Sequence, residues 1–167
     1  TEDGFNAHFA ADEDRLYFTS YAPESKYTEL ELYSVDLKGR DERTLLKGDK
    51  VTEYQLSPDG KWIGYTHQNN AFVAPFLSTG LQQELDIEDS GLPVAQVSKR
   101  AGEYLSWSAG SDRLSWSHGA TVFSRELNQA FSFLAGAPDE LPEPVSEGLN
   151  LGFSQIADKP SSTIALV

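Results

Sequence analysis

The side chains of this 167-residue chain that could do chemistry are three histidines, three carboxylate runs and a set of aromatic residues. His67 and His118 occupy matching places in two copies of one repeated phrase, each following the aromatic residue of a short strand; the first copy has Ser20 there, and His8 stands apart. A paired-histidine zinc site would need the ring nitrogens to converge at about 2.0–2.1 Å on one ion. Matching positions on neighbouring repeats do not in general meet, so these histidines read as polar strand-end residues. The carboxylates cluster as Asp12, Glu13 and Asp14, as Glu84, Asp86, Glu88 and Asp89, and as Asp139, Glu140 and Glu143. Calcium takes about six to eight oxygen ligands at fixed loop spacing. Asp86-x-Glu88-Asp89-x-Gly91 has only part of that pattern and reads as a solvated acidic loop. No Gly-x-Ser-x-Gly nucleophile turn and no phosphate-cradling glycine loop occurs. The sequence therefore predicts no catalytic residue, no metal ligand and no cofactor within this segment.

The aromatic residues Trp62, Trp107, Trp116, Tyr54, Tyr65 and Tyr104 could form a stacking platform for a sugar or peptide, although such residues more often pack between sheets. Trp62 has only Gly64 and Thr66 as neighbours on its strand face, which makes it the first candidate for a partner contact, with Tyr54 and Tyr104 beside it.

The elements that would position these groups come from a phrase written three times. Ser57-Pro58-Asp59-Gly60-Lys61-Trp62-Ile63-Gly64-Tyr65 is a turn followed by an apolar strand; Ser108 to Trp116 repeats it 51 residues later, and Ala10 to Phe18 precedes it by 47. Repeats of roughly 40–50 residues made of short strands are a propeller signature. Pro58 presets φ, Asp59 can accept local backbone amides and Gly60 tolerates a positive φ, so Asp59 is explained as turn chemistry rather than as a catalytic acid. In each strand one face stays apolar: Leu16 and Phe18, then Ile63 and Tyr65, then Leu114 and Trp116.

Four strands are predicted per unit. The first are Phe5 to Ala10, Val51 to Ser57 and Glu103 to Ser108; the second are Arg15 to Ser20, Trp62 to His67 and Arg113 to His118. The third are Glu29 to Leu37, Ala71 to Leu77 and Ala120 to Leu127; the fourth, weaker, are Arg43 to Lys47, Val94 to Lys99 and a stretch near Pro144 to Glu147. The best helical candidate is Leu81 to Ile87. Tyr21 to Thr28, Gln82 to Leu92 and Ala135 to Gly148 read as inserted loops.

Thirteen basic against 26 acidic residues leave a net charge of −13. That argues against nucleic acid and against anionic membrane surfaces, which recruit clustered Lys and Arg. No cysteine is present, so disulfides and thiolate metal sites are excluded. No apolar run reaches the ~18 residues of a membrane span.

Leu56-Ser57-Pro58-Asp59-Gly60-Lys61-Trp62-Ile63-Gly64-Tyr65, with Val35-Asp36-Leu37-Lys38-Gly39 and more weakly Arg125-Glu126-Leu127, resembles the repeat of TolB-like propellers over about residues 5 to 134. Glu103 to Ser108, Leu114 to Ser117 and Val122 to Arg125 resemble the last blade of the propeller that precedes the metal-dependent hydrolase domain in bacterial amidohydrolase-like proteins, and Thr163 to Val167 is similar to the strand that opens that domain. The resemblance implies a parent that hydrolyses a carbon–nitrogen bond in the periplasm or outside the cell, with a divalent metal in the hydrolase domain. It carries no catalytic residue onto this chain.

The expectation is thus an all-β, partial β-propeller of about three four-stranded antiparallel blades. Residues 1–156 hold the blades, at about 5–48, 49–100 and 101–153; residues 157–167 are a linker and a closing or next-domain strand. The functional expectation is a non-catalytic scaffold or interaction module within a longer protein, or a stand-alone TolB-type protein-binding module of the cell envelope. Expected partners are a protein or an adjoining domain, or a second copy through exposed blade faces, with neither nucleic acid nor membrane insertion.

Overall fold

The computed structural model describes residues 4–9, 14–25, 29–77, 82–84 and 91–151. Strands β1 (Phe5–Phe9), β2 (Arg15–Tyr21), β3 (Glu29–Asp36) and β4 (Arg43–Asp49) form a first antiparallel meander. The second contains β5 (Val51–Leu56), β6 (Trp62–His67), β7 (Asn70–Pro75) and, after the intervening β8 (Gln83–Glu84), the short β9 (Ala95–Gln96). The third is β10 (Glu103–Trp107), β11 (Arg113–His118), β12 (Thr121–Glu126) and β13 (Leu149–Asn150). The fold is all-β, and the three sheets are consecutive blades of a β-propeller.

Sheet pleating explains how the blades hold together. The Ile63 and Tyr65 face of β6 is buried in one core with Tyr17, Leu30, Leu32 and Leu46 of the first blade. Leu114 and Trp116 of β11 are buried in a second core with Ala71 and Val73 of the second blade. The middle blade is therefore covered on both sides, and the four central residues of β6 are all buried. Close approach on the third-blade side requires Gly64, where a Cβ would lie 3.1 Å from both Leu114 Cδ atoms.

Each blade also carries the same cross-strand aromatic pair. Phe18 opposes Tyr33, Tyr65 opposes Phe72 and Trp116 opposes Phe123, with ring centroids 5.5, 5.6 and 6.0 Å apart. Their planes lie within 11, 19 and 7° of parallel. Pairs of this kind contribute about 0.5–1.5 kcal/mol beyond area burial.

Two expectations for local structure are corrected. Gln83–Glu84, inside the helical candidate Leu81 to Ile87, is a strand that pairs parallel with Leu46 and Lys47 and so extends the first blade to five strands. The backbone there satisfies its polar groups on an open sheet edge, which a six- or seven-residue helix without caps could not match. The stretch near Pro144 to Glu147 does not form the fourth strand of the third blade. Val145 instead makes a parallel bridge to Ser98 of the second blade, and β13 takes the fourth place by pairing with Thr121 and Val122. Residues 157–167, expected as a linker and strand, lie outside the described residues, as does most of the first-copy turn, Ala10 to Glu13.

Candidate functional site

The turn phrase is wired for structure. The Ser57 amide donates to the Trp62 carbonyl at 2.9 Å, the Gly60 amide donates to the Ser57 carbonyl at 2.9 Å, and Gly60 has φ +70°. The Ser57 hydroxyl donates to Asp59 Oδ1 at 2.6 Å and accepts the Trp62 amide at 3.0 Å, while Asp59 Oδ1 also takes the Lys61 amide at 3.1 Å. In the third blade Ser108 donates to Asp112 Oδ1 at 2.5 Å and accepts the Arg113 amide at 3.2 Å. Ser111, at φ +60°, stands where Gly60 stood. The Ser108 hydroxyl and, after it, the residue's own backbone amide hold the Asp112 carboxyl below its ordinary range. The carboxylate has moved two places along the turn and kept its role.

The inner strands β5 and β10 lie side by side, joined by polar contacts between residues 52 apart. The Glu53 carboxylate accepts the Leu105 amide at 2.9 Å, the Trp107 indole N–H donates to the Gln55 carbonyl at 2.8 Å, and the Asp59 amide donates to Ser111 Oγ at 3.0 Å. The Leu105 amide is turned outward by a bulge between Glu103 and Ser106, at which Tyr104 has φ +56°. Burial pushes the Glu53 carboxyl above its ordinary value, against the opposing pull of the Leu105 and Tyr104 amides.

A second polar knot holds the Pro-rich segment that follows β12. Arg125 is only 5 % exposed and donates from Nη2 to the Gln129 and Pro142 carbonyls, at 2.6 Å each, and from Nη1 to the Gln96 carbonyl at 3.4 Å. Burial lowers the affinity of its guanidinium for its proton, partly offset by Glu143. The knot draws a 3₁₀ turn (Leu127–Gln129) and Phe131 over the seam between the second and third blades.

The three residues expected to contact a partner are placed very differently. Tyr54 is 0 % exposed in the core between the first and second blades, so the expectation of a partner contact is corrected: it has no surface to offer. Its strand face is the one that points into the neighbouring blade. Trp62 is half-buried beneath Phe131, whose ring lies 5.1 Å from it, so its small strand neighbours make room for this chain's own loop. Tyr104 is 78 % exposed at the bulge on the inner edge. The candidate histidines fall on three different blades. His8 donates from Nδ1 to the Asn6 carbonyl at 2.8 Å, His67 meets Phe72 edge-on at 6.1 Å, and His118 is exposed. Among the described residues no group of three or more His, Cys, Asp or Glu side chains is arranged to hold a metal ion. Glu53, Ser111, Asp112 and Arg125 were not singled out by sequence reasoning. Glu53 and Arg125 stand in strands of mixed polarity, Val51–Leu56 and Thr121–Glu126, where one more polar residue gives no signal.

No family model matches the chain, and no curated protein matches it. Solved structures similar to it include the β-propeller domain of the trilobed protease from Pyrococcus furiosus, at 17% identity and TM-score 0.43 over 72% of this chain and 36% of that one. An oligogalacturonate lyase in complex with manganese matches at 14% identity and TM-score 0.47, over 72% of this chain and 34% of that one. The acylaminoacyl peptidase of Pyrococcus horikoshii matches at 17% identity and TM-score 0.43, over 68% and 17%. The chain thus spans little more than a third of the longest-covered of these neighbours.

Proposed function

We propose that the chain is a non-catalytic scaffold and interaction module, the propeller segment of a periplasmic or extracellular amidohydrolase-like protein whose metal-dependent domain cleaves a carbon–nitrogen bond. One observation carries the scaffold part. The polar groups most able to do chemistry are spent on structure: Asp59 and Asp112 on turns, Glu53 on a neighbouring blade's amide, Arg125 on three backbone carbonyls. A catalytic acid or base has to keep a lone pair or proton directed at a substrate. The TolB-like phrase and the amidohydrolase-like last blade support the choice of parent. The test has two arms. Incubating the chain with amide and ester substrates and divalent metals should give no turnover above buffer; turnover abolished by Glu53→Gln or Asp59→Ala would overturn the scaffold reading. The complete coding sequence should continue into a strand bearing a His-x-His metal pair. Its absence would reject the amidohydrolase parent and leave a stand-alone TolB-type binding module. Cell fractionation tests the location in the same way.

A further inference from the structure

Between β12 and β13 the chain leaves the third blade and returns, and the excursion is closed at its neck. One nitrogen, Arg125 Nη2, donates to both the Gln129 and the Pro142 carbonyl, at 2.6 Å each. Residues 129–142 therefore form a closed surface loop of the compact Ω kind, a shape that packs on its own side chains and frequently carries function. Its interior is ordered by further bonds. The Leu134 amide donates to the Phe131 carbonyl at 3.3 Å, the Ala137 amide to the Leu134 carbonyl at 3.1 Å, and the Asn128 side-chain amide to the Gly136 carbonyl at 3.3 Å. Phe131 is buried against Trp62, and Leu134 packs on the core between the second and third blades. The loop owes its shape to contacts with those two blades.

On that fixed frame two apolar side chains stay in the open among the described residues. Phe133 is 60 % exposed although its ring lies 5.3 Å from that of the buried Phe131, and Leu141 is 37 % exposed. Trp62, Phe131 and Phe133 thus make a run of three rings that starts in the seam and ends at the surface. The charges of the same segment are all of one sign. From Glu126 to Leu151 the chain carries Glu126, Asp139, Glu140, Glu143 and Glu147 and no Lys, Arg or His. Glu126 stands 3.7 Å from Arg113, and Glu143 acts on Arg125. Asp139, Glu140 and Glu147 are exposed and belong to no ion pair among the described residues. A second copy of the chain is a poor occupant, because a two-fold contact would set these carboxylates against themselves.

We infer that this loop is a docking site for a basic segment of another protein. An aromatic or aliphatic side chain of that segment packs on Phe133, and its Lys or Arg side chains meet Asp139 and Glu140. An apolar anchor within a polar rim is the common anatomy of a protein contact. A loop that is already ordered loses little entropy on binding. Unpaired carboxylates draw a basic partner from a distance and reject an acidic one. The inference rests on the reading of the chain as an interaction module, and it names the surface and the kind of partner.

The test is selection of a phage-displayed random-peptide library on the purified chain, after removal of phage that bind the Phe133→Ser variant. Enriched peptides should carry Lys or Arg beside an aromatic or aliphatic residue. In fluorescence polarisation Phe133→Ser should weaken them ~10-fold or more, the usual loss at an anchor residue. Asp139→Asn together with Glu140→Gln should weaken them ~3–10-fold in low salt. That gap should close at ~1 M salt, where screening acts beyond ~3 Å. All three substituted residues are exposed, so both variants should keep the parent's urea midpoint. No enrichment above the Phe133→Ser control, enriched peptides that are neutral or acidic, or peptides indifferent to the two charge substitutions would overturn the inference. So would a dimer of the chain that Phe133→Ser dissolves, because the face would then belong to a second copy. None of these results bears on the hydrolysis assay, so the non-catalytic reading stands or falls separately.

Discussion

Removing the Arg125 guanidinium is the sharpest test of how the blades are sealed. Arg125→Met keeps most of the apolar stem and deletes every donor. Two 2.6 Å bonds are lost, to the Gln129 and Pro142 carbonyls, together with the longer 3.4 Å bond to Gln96. Hydrogen bonds to charged groups contribute roughly 1.5–3 kcal/mol each, so the two short ones set a gross loss of about 3–6 kcal/mol. Returning a buried guanidinium to non-existence offsets part of that, because its desolvation no longer opposes folding. The Nε atom of Arg125 is buried without a partner among the described residues, so its removal also recovers something. A net loss of about 2–4 kcal/mol follows. The loss should be local first: the segment from the 3₁₀ turn to Val145 loosens, and the Phe131 ring leaves Trp62. Urea unfolding followed by tryptophan fluorescence reads the stability. Limited proteolysis should show new cleavage between residues 130 and 148. A change under about 0.5 kcal/mol, the size of an ordinary surface substitution, with no new cleavage, would refute the clamp.

Further outcomes are expected elsewhere. Gly102→Ala would set a Cβ 2.7 Å from the Ala71 Cβ and 3.1 Å from its backbone nitrogen, and should lower stability by about 1–3 kcal/mol in chemical denaturation. Tyr54→Phe removes a buried hydroxyl that has no partner among the described residues, so stability should hold or rise, whereas Tyr54→Ala should cost about 3–5 kcal/mol in the same assay. Glu53 has its folded pKa raised above the ordinary 4.5, so the folded state binds its proton more tightly than the unfolded state does. Its favourable contribution is complete below the unfolded value and is lost as pH rises through the folded one. Stability measured from pH 4 upward should therefore fall less steeply in Glu53→Gln, and identical slopes would reject the assignment.

Periodicity made the blades readable. The apolar alternation at Leu16 and Phe18, Ile63 and Tyr65, and Leu114 and Trp116 is dictated by sheet packing, so it survives where the turn residues change. The second member of each ring pair, Tyr33, Phe72 or Phe123, was less visible because the intervening loops differ in length and hide the register. The partner candidates fared worse for a related reason. A strand pattern shows which residues share a face but not what covers it. Tyr54 turned out to face the first blade, and Trp62 to lie under a loop that enters the chain more than 60 residues later. The polar contacts across blades were not legible at all, because Glu53, Ser111 and Arg125 act on backbone groups that no residue type announces. Gln83 and Glu84 add to a sheet that ended more than 30 residues earlier, a long-range pairing that local propensity cannot register.

The central proposal is that the chemistry-bearing side chains of this chain hold blades together rather than catalyse a reaction. The most direct measurement is amide hydrolysis by the purified chain in the presence of zinc, manganese or calcium, with bound metal quantified after dialysis. The account predicts no rate above buffer and no stoichiometric metal. Stoichiometric metal accompanied by turnover that Glu53→Gln or Asp59→Ala eliminates, while the fold is retained, would contradict it.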